Sequence, residues 1–281
     1  MLEVLQSTPQ ISSLQQCIDN YYFLRIDEPS FEESFTHFPH FRTTINVYQN
    51  AEIEIRRDSR TICHNQNKRL DTIFTNNISH AKKAFLRGPI NIIGNSFRPL
   101  GINHFLSGTS FIKADESVVL LNNYWKGFEE NMSAVFACTS IQAKTEMLDE
   151  YFASIYCPFD QNILKAIVVE IILAKGAIQV KILANKYEIN RRTLLRMFNK
   201  HLGCSISDFK QVVRFRCAVD NYQRNAAKPS FTELSYNHNY YDQSDFIKHF
   251  KMLTKEIPRE VLTKMTTVGN QDLYWKLKSK Q

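Results

Sequence analysis

The chain has 281 residues, 43% hydrophobic and 22% charged, the make-up of an ordinary globular protein long enough for two domains. No apolar run reaches the ~18 residues that cross a bilayer, and Met1-Leu2-Glu3-Val4 lacks a basic region leading into an apolar one, so no membrane partner and a cytoplasmic protein are expected. The charge is divided: residues 1–158 hold 14 Lys and Arg against 17 Asp and Glu, net −3, whereas residues 159–281 hold 21 against 11, net +10. A basic half beside a slightly acidic one argues that only one half meets a polyanion.

Residues 1–110 alternate short β-prone runs (43–48, 51–56, 84–86 and 90–93) with turn signals at Gln49-Asn50, Arg57-Asp58-Ser59, Gly88-Pro89 and Gly94-Asn95. In 51–56 the alternation is strict, with Ile53 and Ile55 on one face and Glu52, Glu54 and Arg56 on the other. An antiparallel sandwich or open barrel is expected. From residue 120 the pattern turns helical, predicting helices over 121–137 and 141–156 that cap the β-rich part or offer a homodimer face.

Beyond Pro158 the chain reads as helix almost throughout. Residues 162–175 carry Ile163, Leu164, Ile167, Val168, Ile171 and Ile172 on a broad stripe ended by Gly176. A short helix over 180–187 precedes Asn190, a residue suited to cap the helix 191–202 that ends at Gly203. Leu194, Met197 or Phe198, and His201 or Leu202 face inward on that helix, leaving Arg191, Arg192, Arg196, Asn199 and Lys200 outside. Arg192 and Arg196, four apart, share a face, and a guanidinium there can pair with guanine or with phosphate. A helix over 205–225, roughly 30 Å long, leads to a second short helix, a turn and a helix over 242–252. On the last of these Gln243, Ser244, Ile247, Lys248 and Lys251 form the outer face and Phe246 and Phe250 the inner one. The half thus holds two helix-turn-helix units, about 178–202 and 231–252, spaced to meet successive major grooves of duplex DNA.

Leu183-Ala184, Leu194, Arg196-Met197-Phe198, Gly203, Arg214, Ala218, Asp242-Gln243-Ser244, Phe246, Phe250-Lys251 and Pro258 resemble the tandem helix-turn-helix domain of AraC/XylS transcription regulators over about 160–262. The resemblance implies DNA contacts from Arg191, Arg192, Leu195 and Arg196 in the first unit and Gln243, Ser244, Ile247 and Lys248 in the second. Asn190, Lys200 and Lys251 complete the candidate set. Leu195 and Ile247 can only meet thymine methyls. Three residues depart from the pattern: Ser235 stands in place of Ala, and Asn239 and Lys255 in place of Gly. Asn tolerates a left-handed turn better than Lys does.

The run Ile92 to Gly101, with Phe105-Leu106, is similar to a β-rich, cupin-like domain that often precedes this module, which implies a sensing or dimerising role. His37, His40, His64, His80 and His104 do not have the spacing of a metal-binding cupin, so no metal and no cofactor is expected. Arg98, beside Pro99, suits a structural ion pair better than an anionic ligand. The six cysteines never fall at a C-x-x-C spacing and are expected as reduced core thiols.

The chain has no G-x-S-x-G, H-E-x-x-H or G-x-x-x-x-G-K-[ST] motif, so an enzyme is not expected. Cys17, Cys63 and Cys138 are too dispersed for the cysteine cluster that an alkyl-damage response protein, which can share this DNA-binding module, would need. The reading is an α+β chain of two domains. A β-rich regulatory or dimerisation domain occupies 1–158, β-rich over 1–115 and helical over 120–157. An all-α DNA-binding domain follows over 159–265, with a tail over 266–281. Its function is that of a sequence-specific transcription regulator, an activator in first reading and a repressor or architectural protein in second. RNA polymerase and a small-molecule effector remain open as further partners.

Overall fold

The computed structural model describes residues 2–106, 112, 118–121, 124–263, 265–267 and 274–278. The N-terminal half builds two six-stranded sheets. The first contains β1 (Leu2–Ser7), β2 (Ile18–Ile26), β4 (Thr43–Gln49), β7 (Leu70–Thr75), β9 (Ile90–Phe97) and β10 (Val118–Leu120), in the order β1-β2-β9-β4-β7-β10. The second contains β3 (Glu32–His37), β5 (Ala51–Ile55), β6 (Ser59–His64) and β8 (Lys82–Arg87), joined by β11 (Thr266–Thr267) and β12 (Tyr274–Lys278), in the order β11-β12-β3-β8-β6-β5. β12 pairs antiparallel with β3, so the segment read as a tail extends this sheet; residues 268–273 and 279–281 lie outside the described residues. The expected antiparallel pattern holds except where β6 runs parallel to β8.

The first sheet is apolar on both faces because it separates two cores. Tyr21 and Phe23 of β2, Ile45 and Val47 of β4 and Ile93 and Phe97 of β9 point toward α2 (Phe128–Ala137) and α3 (Ile141–Ser154). Their alternates Leu24, Ile26, Tyr48, Ile90 and Ile92 point at the second sheet. Gly94 permits one close approach, since a Cβ there would fall inside the ring of Tyr22 on the neighbouring strand. Helix α3 is tied to the sheet by the buried Asp149, which accepts from Tyr21 Oη at 2.8 Å and from the backbone N–H of Gln10 at 2.6 Å. The short α1 (Ser12–Gln15) lies beneath it.

The helix expected over 121–137 begins only at Phe128. Val118 to Leu120 form a strand against β7, Trp125 donates its indole N–H to the carbonyl of Phe105 at 2.7 Å, and Gly127, at φ 70°, turns the chain into the helix. Asn122 and Asn123 lie outside the described residues.

The C-terminal half comprises α4 (Asn162–Leu173), α5 (Val180–Lys186), α6 (Arg191–Leu202), α7 (Ile206–Arg224), α8 (Phe231–Asn237), α9 (Gln243–Thr254) and α10 (Pro258–Leu262). Phe198, Phe209, Phe215, Phe246 and Phe250 are fully buried in one continuous core, and burial of each such ring is worth roughly 1.5–3 kcal/mol. That core also takes in Phe38, Ile78 and Leu100 from the β-rich half. All six cysteines are free thiols; Cys17 and Cys204 are buried, whereas Cys157 is exposed, contrary to the expectation of a core residue.

Candidate nucleic-acid interface

In the first unit α5 buries Leu183 and Ala184. Glu188, at φ 50°, makes the turn, and Asn190 caps α6 by accepting from the N–H of Arg192 at 2.8 Å. The Asn190 carbonyl oxygen is thereby committed to the helix, leaving its amide N–H groups to face outward. Leu194, Phe198 and Leu202 are buried, while Arg191, Arg192, Leu195, Arg196 and Lys200 are exposed. Gly203 ends the helix at φ 64°, a conformation glycine adopts without a Cβ clash. Lys186 and Tyr187 both donate to Glu170 of α4 at 2.9 Å, which holds that carboxyl below its ordinary range and straps the unit to α4.

In the second unit Ser230 and Glu233 form a reciprocal capping box on α8, and Asp242 caps α9 by accepting from the Asp245 N–H at 2.7 Å. Gln243, Ser244, Lys248 and Lys251 are exposed; Ile247 is half-buried against the core, which restricts it as a reading residue. Thr232 of α8 donates to Oε1 of Gln243 at 2.9 Å, a partner that sequence reasoning missed. With its oxygen engaged, the Gln243 amide presents N–H donors outward. Asn239 and Lys255 adopt φ 58° and 64°, so Asn and Lys both take the left-handed conformation where glycine was expected. Ser235 is fully buried, and its hydroxyl donates to the carbonyl of Thr232 at 2.7 Å.

The second helices of the two units, α6 and α9, differ electrically at their leading ends. The first turn of α6 holds Arg191 and Arg192 and no acid, adding charge to a helix terminus that already favours anions. The leading end of α9 holds Asp242 and Asp245, which oppose phosphate. Among the described residues no ion pair engages Arg191, Arg192, Arg196, Lys200, Lys248 or Lys251.

The trailing ends of both helices are gripped by the β-rich half. Asn76 and Asn103 donate their amides to the carbonyls of Leu202 and His201 at 2.8 and 2.9 Å, serving last-turn acceptors that a helix cannot satisfy internally. The N–H of Ala81 donates to the carbonyl of Leu253 in α9 at 2.6 Å. Between them, the buried Arg216 of α7 donates to the carbonyls of Pro39 and Phe38. None of these contacts has a sequence signature, because in each the acceptor is backbone.

Elsewhere, Arg98 pairs with Asp19 at 3.3 Å and donates to the carbonyl of Gln15 at 3.0 Å, the structural role expected of it. Among the described residues no three His, Cys, Asp or Glu side chains gather as a metal site, and no described helix is long and apolar enough to cross a membrane.

Residues 183–264 match the family model of a helix-turn-helix domain. No curated protein matches the chain by sequence. Among solved structures the chain is similar to ToxT from Vibrio cholerae O395, at 13% identity and TM-score 0.45 over 95% of this chain and 98% of that one. It is also similar to wild-type ToxT from Vibrio cholerae strain SCE256 bound to an unsaturated fatty acid, at 10% identity and TM-score 0.48 over 96% and 97%. Two helix pairs joined by α7, a basic leading face on α6 and the family match over 183–264 together make this segment a tandem helix-turn-helix domain, similar to that of the AraC/XylS regulators.

Proposed function

We propose that the chain is a sequence-specific activator that reads two adjacent major-groove segments, one with α6 and one with α9. The observation that supports this most is the exposed face of α6, where Arg191, Arg192 and Arg196 stand without ion pairs at a helix end that itself attracts anions. Arg192 and Arg196 carry base readout. Arg191 and Lys200 hold the backbone, with Leu195 placed for a thymine methyl and Asn190 at the edge of the contact. In the second head Gln243, held by Thr232, presents donors to guanine or thymine acceptors, and Ser244, Lys248 and Lys251 carry positioning contacts. Ile247 contributes at most its exposed edge. α7, at 19 residues, spans roughly 28 Å, close to one turn of B-DNA.

The half over 1–158 sets how the heads are held. Its loops grip the trailing ends of α6 and α9 and the middle of α7, so a change there alters the relative placement of the heads. Activation follows from the resemblance alone.

The test is selection of bound sequences from a random duplex pool with the full chain at fixed salt. Two short boxes about one helical turn apart are the expected result. Unselective, salt-sensitive binding would refute readout and leave a basic surface.

A further inference from the structure

The second sheet buries a guanidinium that no acid among the described residues neutralises. Arg60 of β6 is 7% exposed. It reaches across to the first sheet, donating from Nη1 to Thr75 Oγ1 at 3.1 Å, and its Nη2 lies 3.1 Å from His37 Nε2. Its Nε–H is buried without a hydrogen-bond partner, and among the described residues no carboxylate forms an ion pair with it. Burying a guanidinium this way is costly, and the side chain still offers donors in a planar fork.

The guanidinium lines a narrow slot, partly open to solvent, whose walls include Ser59, Thr75, Arg56, Lys82 and Lys83. Among the described residues no Asp or Glu lines it. Arg56 is engaged by Glu54 at 2.8 Å and Lys82 donates to the carbonyl of Arg57 at 2.8 Å, with Asp58 nearby. Even so, Arg60, Lys82 and Lys83 leave the slot cationic. Burial, then the neighbouring Arg60 charge, holds His37 well below the ordinary imidazole range, so the ring is neutral and accepts from the guanidinium.

We propose that this slot binds a phosphate-type oxyanion, as borne by a small phosphorylated metabolite, with Arg60 at its base and Lys82, Lys83 and the Ser59 hydroxyl at its rim. A tetrahedral dianion matches several cations and hydroxyls around one point, whereas a carboxylate would be satisfied by the Arg60 fork alone. On its inner side Arg60 borders a second cavity lined by Tyr22, Tyr48, Leu24 and Ile92, which gives the organic part of such a ligand an apolar and aromatic surface. The site lies in the β-rich half, apart from the residues proposed for DNA, so its failure would leave the DNA reading intact.

The experiment is titration of the full chain with inorganic phosphate, acetate and chloride at matched ionic strength, followed by calorimetry and thermal unfolding. Saturable stabilisation by phosphate alone is expected, abolished in Arg60→Gln, weakened several-fold in Lys83→Gln at the rim, and retained in an Arg192→Ala/Arg196→Ala chain. A phosphate response no larger than that of acetate or chloride would overturn the proposal. So would loss of the response in the Arg192→Ala/Arg196→Ala chain, which would place the anion on the DNA face. Should Arg60→Gln not fold, Lys83→Gln decides: an unchanged phosphate affinity there would sink the assignment.

Discussion

Arg216 and Pro39 are joined by a 2.5 Å hydrogen bond from the guanidinium Nε to the backbone carbonyl, and the same guanidinium donates from Nη2 to the carbonyl of Phe38 at 2.9 Å. The helix between the two reading heads is therefore fastened to the loop that follows β3, not merely packed beside it. Charge-assisted bonds of this kind contribute about 1.5–3 kcal/mol each. Arg216→Met keeps the aliphatic bulk and removes both donors. Calorimetry of the full chain is expected to show the unfolding transition lowered and broadened toward two steps, as the β-rich and helical halves lose part of their coupling; a single undisplaced transition would contradict the fastening.

Arg196 and Lys200 lie on one exposed face of α6 but are assigned different work. Arg196→Ala should cost ~1–3 kcal/mol on the selected sequence and relax preference at one position. Lys200→Ala should weaken all duplexes alike and lower the salt slope by about one. Competition binding with specific and random duplexes separates the two, and equal losses on both duplexes for Arg196→Ala would remove it as a reader.

Two histidines under the second head make it sensitive to acid. Burial, first of all, pushes His238 and His249 down to about 4, with Lys175 beside the one and Arg214 beside the other adding to the effect. In the unfolded chain each titrates near ~6.5. Between these values the unfolded state binds more protons than the folded one, so stability is complete above about pH 6.5 and declines as pH falls toward 4. Denaturant midpoints at pH 7 and pH 5 are expected to differ in that direction, and His238→Gln should flatten the slope. A midpoint independent of pH across the window would show that neither ring is buried in its neutral form.

Lys255 closes α9 at φ 64°, a conformation that costs an ordinary L-residue roughly 1–2 kcal/mol. Lys255→Gly relieves the strain but gives the unfolded chain more freedom, leaving a net gain of about 0.5–1 kcal/mol. Thermal unfolding checks the sign: a loss of stability would mean that the lysine side chain makes a contribution larger than the strain.

Much of the helical half could be read in advance because its signals are local. The helical period through Leu194 set the buried face of α6, with the fold choosing Phe198 over Met197 and Leu202 over His201, and Asn190, Ser205 and Asp242 cap where their side-chain oxygens suit a helix start. The β-rich half was harder. Strand β2 is buried on both faces from Asn20 to Leu24, so it lacks the alternation that marked residues 51–56. The apolar residues Leu120 and Leu121 looked like the opening of a helix because strand and helix cannot be told apart over so short a run. Arg60 and Thr232 gave no sign at all, since each acquires its meaning from a neighbour on another element. For the residues proposed to face DNA the helical period gives exposure, whereas Gln243's orientation needed the fold.

The amides of Asn76 and Asn103 finish a helix that lies about a hundred positions further along the chain. A fragment cut to the tandem helix-turn-helix segment would lack both, and the final turn of α6 would fray into water. Screens that use such a fragment would therefore report a looser reader than the whole protein, and the shortfall would reflect where the chain was cut, not how the side chains meet the bases.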